Sequence, residues 1–391
     1  MSEELQFVIL PGNRSRVNCP TSALVKTKAN FSGNLWLRNE DTNRIYPGYV
    51  HRINEDLLEV FVMLNNSTMY TELELSLSPD QPNIDAENFP LVPMQLKQLN
   101  EKSIQIKKNG SLLTNFYYND AVRPYFMPII GPYGQPITRE YPLKEIKGGS
   151  NDHIHHRSLW NAWGDVNGAD NWGESMTSVP QIVKEISVLE AGYALTHIQA
   201  KVEWMDRDGE KPDLDEQRDI FIYNIMDSET IIDFRVKFTA NYGDVKFGDT
   251  KEGGFISIRV ADSYRGSHGG RIENALGMVA ERECWGRKAP WCDYSGKVGD
   301  YVVGMAIMDH PDNYGYPTYW HVRDYGLMAA NPLAISEFKN DKSLDGSLIL
   351  KEKKSLEFRY RVYAHGGNAQ DAAVEQKYRD FISPPEMKYL E

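Results

Sequence analysis

Apolar residues at every second position constrain this chain more than any other feature. Ile198, Ala200, Val202 and Trp204 alternate with Gln199, Lys201 and Glu203. Within 231–239, Ile232, Phe234, Val236 and Phe238 keep the same spacing, and Leu356, Phe358, Tyr360 and Val362 alternate with Glu357, Arg359 and Arg361. Successive side chains of a strand leave on opposite faces, so this pattern predicts antiparallel sheets with one buried and one wet face. Helical spacing is scarce. Its best example, 371–378 after Gly366-Gly367, reads as one short terminal helix. The fold class expected is all-β.

A chain of 391 residues is too long for one ordinary core. Its 41% hydrophobic and 25% charged residues are globular values, which excludes bulk disorder. Short strands are expected at 6–10, 58–64 and 70–77, punctuated by Asn, Ser and Gly. The segment 78–83, with Pro79 and Pro82, reads as a linker. We therefore expect a small β-sandwich domain over residues 1–95. Residues 96–391 would form a large antiparallel β-supersandwich, two sheets packed face to face, that carries the site.

The net charge of −12 opposes phosphate backbones, so no nucleic-acid partner is expected. No run approaches 18 apolar residues, so no membrane partner is expected either. The start, Met1-Ser2-Glu3-Glu4, lacks a secretory pattern, and the expected location is cytoplasmic. Cys19, Cys284 and Cys292 make neither a disulfide framework nor a zinc pattern and read as buried free thiols. No Gly-rich phosphate loop follows a strand, and G-x-S-x-G and H-E-x-x-H are missing, which speaks against a nucleotide cofactor, serine hydrolases and zinc proteases. An edge-rich β-protein of this size often self-associates, so a homo-oligomer fits.

The chemistry-bearing residues concentrate around Asp152-His153-Ile154-His155-His156-Arg157. On a strand, His153 and His155 would share a face and could offer two imidazoles to one divalent metal, of a kind the sequence leaves open. His321 is expected to complete that ligand set. The same segment could instead supply a general base beside an Arg anion clamp, through His155, His156 and Arg157. Next come Trp160, Trp163, Asp165, Asp170 and Trp172 in a Gly- and Asn-rich stretch. Indole faces pack on the apolar side of a sugar ring while carboxylates bond its hydroxyls, so these residues are expected to bind a small carbohydrate. Lys251 and Glu252 lie between glycines; Lys251 is expected to touch substrate, and Glu252 is a candidate base or metal ligand. Tyr319, His321 and Arg323 share strand parity and can handle a proton and an anion together. Trp285 would add aromatic wall.

Taken in order, Arg139-Glu140-Tyr141-Pro142, His155-His156-Arg157-Ser158-Leu159-Trp160, Lys251-Glu252-Gly253, Trp285-Gly286 and Tyr319-Trp320-His321-Val322-Arg323 resemble a bacterial family labelled methane oxygenase PmoA, over about residues 110–366. That resemblance implies carbohydrate metabolism by association, and its label implies a metal-dependent oxygenase as an alternative. The strand order and the His-His-Arg segment are also similar to galactose-mutarotase-like supersandwiches. The function expected is a carbohydrate lyase or glycoside hydrolase working by His/Glu acid–base catalysis on a glycoside, such as a keto- or uronic-sugar. A non-catalytic sugar-binding protein is the other alternative.

Overall fold

The computed structural model describes residues 5–12, 14–67, 72–78, 91–225 and 229–390. The linker expected at 78–83 falls almost wholly outside these residues, as does the start of the strand expected at 70–77.

The chain is all-β, built on three large antiparallel sheets. The first has seven strands in the order Arg16–Lys26, Leu57–Ser67, Arg44–Asn54, Gly33–Asn39, Leu73–Ser78, Leu5–Ile9 and Met387–Leu390. The second has eight, in the order Tyr319–Val322, Leu327–Asn331, Gly253–Arg259, Leu159–Trp163, Tyr125–Phe126, Ser111–Tyr117, Ser103–Lys108 and Gln95–Asn100. The third also has eight, from Gln181–Ala191 through Leu195–Met205, Pro212–Tyr223, Thr230–Thr239, Ser355–Gly366, Tyr301–Asp309 and Trp291–Val298 to Arg271–Asn274.

The second and third sheets pack face to face. Leu159, Ile256, Ile258, Trp320 and Val322 of one meet Ile198, Ile220, Phe234, Val236, Phe358 and Val362 of the other in one core cluster. The period-two residues read from the sequence are its staves. Burial of these side chains, at roughly 1.5–3 kcal/mol each, is what holds the layers together. One polar network crosses the layers: Asn161 and Trp204 both bond Glu216, which is paired with Arg218.

The opposite face of the third sheet is not wet throughout. Glu357 and Arg359 are exposed, but Arg361 and Asp233 are buried. The first sheet and the terminal helix Val374–Ile382 cover them. Arg235 crosses to Glu59 at 2.5 Å, and Tyr49 bonds His197 at 2.8 Å. The C-terminal strand Met387–Leu390 returns to pair with Leu5–Ile9, so the first sheet is closed by the far end of the chain. Among the described residues no helix is long and apolar enough to cross a membrane.

Candidate active site

The outer face of the second sheet collects the residues that matter. Its register places His321 opposite Ala329, Ala329 opposite Ser257, Ser257 opposite Trp160, Trp160 opposite Tyr125 and Tyr125 opposite Tyr117. That is one row across six strands. Large side chains stand at its ends and the small Ala329 and Ser257 in between. His321 and Trp160 are three strand spacings apart, about 14 Å, and the small Ala329 and Ser257 between them are fully buried. Polar atoms along the row lack protein partners. Ser257 Oγ, His321 Nδ1, Trp160 Nε1 and Trp172 Nε1 are buried with no hydrogen bond among the described residues. Buried polar atoms are almost always bonded, so a concentration of exceptions on one face points to a bound partner.

The loop before strand Leu159–Trp163 brings in the histidines. His153 and Ser158 have φ of 42° and 61°, left-handed values that non-glycine residues rarely adopt. The loop is over-determined by two buried arginines. Arg139 donates to Asp152 Oδ1 at 2.8 Å and to the His153 carbonyl at 2.7 Å. Arg259 donates to Asp152 Oδ1 at 2.9 Å and to His156 Nδ1 at 3.2 Å. A guanidinium can only donate, so Nδ1 of His156 accepts and its ring proton sits on Nε2. Burial, then His155 and Arg259, push His156 far below the usual imidazole range. Burial, with Arg123 and His153, brings His155 down to about 4. The His155 ring makes no hydrogen bond to any described residue and meets His156 edge-on at 4.5 Å. His153 differs: Asp152 Oδ2 lies 2.8 Å from its Nδ1, and its ring stacks on Tyr325 at 5.0 Å and on His156 at 4.7 Å. For Asp152, burial acts upward, but Arg259, His153 and Arg139 outweigh it and hold the carboxyl below its ordinary value.

An aromatic wall surrounds these imidazoles. Trp160 stacks on His156 at 5.4 Å and leans on Trp172 at 5.6 Å. Tyr117 and Tyr125 stack at 4.9 Å. The loop carrying Trp172 is fixed by Arg123, which is fully buried and donates to the carbonyls of Asn171, Trp172, Gly173 and His155. Arg157 grips Glu174 through two bonds, of 2.6 and 2.7 Å, so it clamps a protein carboxylate.

The other expected site residues divide. Burial, then Arg323 and Lys251, bring His321 down to about 3. The His153 ring stacks on Tyr325 and charge from Glu252 reaches Tyr325, so the 153–156, 252 and 321–325 segments share this face. Glu252 is half exposed and 3.4 Å from Lys251. Arg323 pairs with Glu281 at 2.9 Å and lies over the Tyr325 ring. Tyr319 is on the same face but packs with Trp285 and Phe338 at the sheet edge.

Three corrections follow. Trp163 is no wall of the site: three residues after Trp160 on one strand, it faces inward, stacks on Phe255 at 4.7 Å and bonds the Gly248 carbonyl. Asp165 and Asp170 accept backbone N–H groups of their own turns, from Gly168 and from Trp172 and Gly173, so they shape loops. Among the described residues no three His, Cys, Asp or Glu side chains are arranged to hold a metal ion. His153 is engaged by Asp152, and His321 stands across the sheet. The expected set of His153, His155 and His321 does not fit a metal. Sequence reasoning missed Tyr117, Tyr125, Ser257, Arg259 and Tyr325. Strand parity across the sheet is the signal that finds the first three.

The model of DUF6807, a family of unknown function, matches residues 103–379, and the chain belongs to that family. This corrects the resemblance to the family labelled methane oxygenase PmoA, and the oxygenase alternative it carried is withdrawn. No curated protein matches the chain. Among solved structures, an alpha-mannosidase from Enterococcus faecalis V583 aligns with 99% of this chain and 46% of its own, at a TM-score of 0.42 and 10% identity. The chain thus spans under half the length of that structure.

Proposed function

We propose that this chain is a carbohydrate-processing enzyme, and that the outer face of its second sheet cleaves a keto- or uronic glycoside by elimination. The observation that carries this reading is His155: a neutral imidazole with no hydrogen-bond partner among the described residues, held against buried aromatic rings by an arginine-braced loop. A general base must be unprotonated before it acts, and His155 is so at every pH above about 4. Trp160, Trp172 and Tyr125 form a buried aromatic cluster behind His155 and His156, and the buried polar atoms of the row have no hydrogen-bond partner among the described residues.

The carboxylates decide between elimination and hydrolysis. Glycoside hydrolysis ordinarily uses two Asp or Glu residues, one kept protonated as the acid. Here Glu174 is held by Arg157 and Arg123, and Asp152 by Arg139 and Arg259. Both accept from guanidinium groups, and Glu252 on the same face stands beside Lys251. In an elimination, His155 takes the proton from a C–H next to a carbonyl or carboxylate. The C–H electron pair becomes a new double bond, and the glycosidic C–O bond breaks. The guanidinium of Arg259, buried behind the loop, lends its positive field to the developing oxyanion, and the Tyr325 hydroxyl protonates the leaving oxygen. Burial raises Tyr325 to about 12, so it is protonated at neutral pH.

The test is turnover of glycosides carrying a keto or carboxylate group beside matched neutral glycosides, with release of an unsaturated product as the readout. The expected result is product from the acidified substrates only. Sugar binding without turnover across both sets would contradict it and favour the non-catalytic sugar-binding reading.

A further inference from the structure

A cleft of about 660 Å³ lies far from the histidine loop, between the first sheet and the covered face of the third. Its size is within the range of small-molecule sites. We propose that this cleft is a second binding site, for a neutral polyhydroxylated ligand such as a sugar of one to a few rings. The proposal does not depend on the chemistry assigned to the other face.

Charge selects the ligand class. The lining holds four cations, Arg235, Lys237, Arg359 and Arg361, and four carboxylates, Glu59, Asp219, Asp233 and Glu357. These cancel. Burial holds His51 and His310 below the usual imidazole range, so they add no charge near neutral pH. Neither an anion nor a cation would meet a matching field there. The carboxylates of the floor are moreover engaged by protein donors. Glu59 takes two bonds from Arg235, Asp233 takes two from Arg361, and Asp219 takes His197, Gln199 and Gln217.

Neutral capacity is left over. The His51 ring makes no hydrogen bond to a described residue, although it packs edge-on against His197 at 4.8 Å. His310 uses only Nδ1, for the Asp312 amide. Arg361 Nη1 is buried without a partner, Gln217 keeps its carbonyl oxygen, and Lys237 has no ion pair among the described residues. Unused donors and acceptors therefore line one space, which suits hydroxyls that each donate and accept. Phe381 adds a partly exposed ring at the rim. Side chains already fixed by ion pairs lose little freedom when a hydroxyl binds, which favours recognition.

Histidines report on both sites. The full chain labelled at histidine 13Cε1 is titrated with maltose and cellobiose, and with glucuronate and inorganic phosphate as anionic probes. The expected result is saturable shifts of His51 and His310 with at least one neutral disaccharide and not with the anions. Lys237→Met and Gln217→Ala, which change exposed or rim positions, are each expected to weaken that binding about fivefold to tenfold. Shifts confined to His153, His155 and His156, shifts of the cleft pair with anions alone, or no shift with either disaccharide would overturn the proposal.

Discussion

His155 and His156 are neighbours in sequence with different bonding. Arg259 occupies Nδ1 of His156, whereas neither ring nitrogen of His155 has a hydrogen-bond partner among the described residues. His155→Gln is expected to lower kcat by at least about 10²-fold with the folded state retained by circular dichroism; retained turnover would remove His155 as the base. His155 and His321 also set a pH dependence of stability. Each is held neutral, at about 4 and about 3, below the ordinary 6.5. As pH falls, the unfolded chain takes up protons first. The stability they confer is whole above about 6.5 and is lost as pH drops through 4 toward 3. The melting temperature is therefore expected to fall between pH 7 and pH 4, and His321→Leu is expected to flatten that slope. The histidine cluster was legible because its members lie within four positions. Its chemistry was not, because Arg139 and Arg259 arrive from 17 and 103 residues away from His156.

Strand parity explains what the aromatic run could and could not reveal. Trp160 and Trp163 look equivalent in a sequence read as a loop. On strand Leu159–Trp163 their odd spacing sends Trp160 to the site and Trp163 to the core. The even spacing of Tyr319 and His321 keeps them on one face, as read from the sequence, but Phe338 draws Tyr319 into a local cluster. The loop holding Trp172 depends on Arg123, an isolated arginine with nothing in its sequence context to mark it. Arg123→Met leaves four carbonyls and Glu174 without that donor. Breaking such a buried charged network should cost about 3–5 kcal/mol, measured as a shift in the urea midpoint. A loss under about 1 kcal/mol would mean the loop is held by packing alone.

At the scale of the molecule, alternation along the strands announced the sandwich, because a half-buried sheet needs it. It could not announce that the last strand closes the first sheet, since pairing across the whole chain leaves no local mark. Thr21 Oγ1 donates to the Pro385 carbonyl and the Leu10 amide to the Glu386 carbonyl, tying that strand in. Removing residues 384–391 is expected to speed amide exchange in Leu5–Ile9 while the two packed sheets keep their protection; uniform exchange throughout would contradict that independence. Proton removal at the outer face of the second sheet is the step on which the proposed activity turns. Its most direct test is to incubate the protein with a keto-glycoside in D2O and follow the C–H beside the carbonyl by NMR. The account predicts deuterium entry or product release with the native chain and neither with His155→Gln. Binding of the glycoside with that C–H untouched, or equal exchange in the variant, would contradict it.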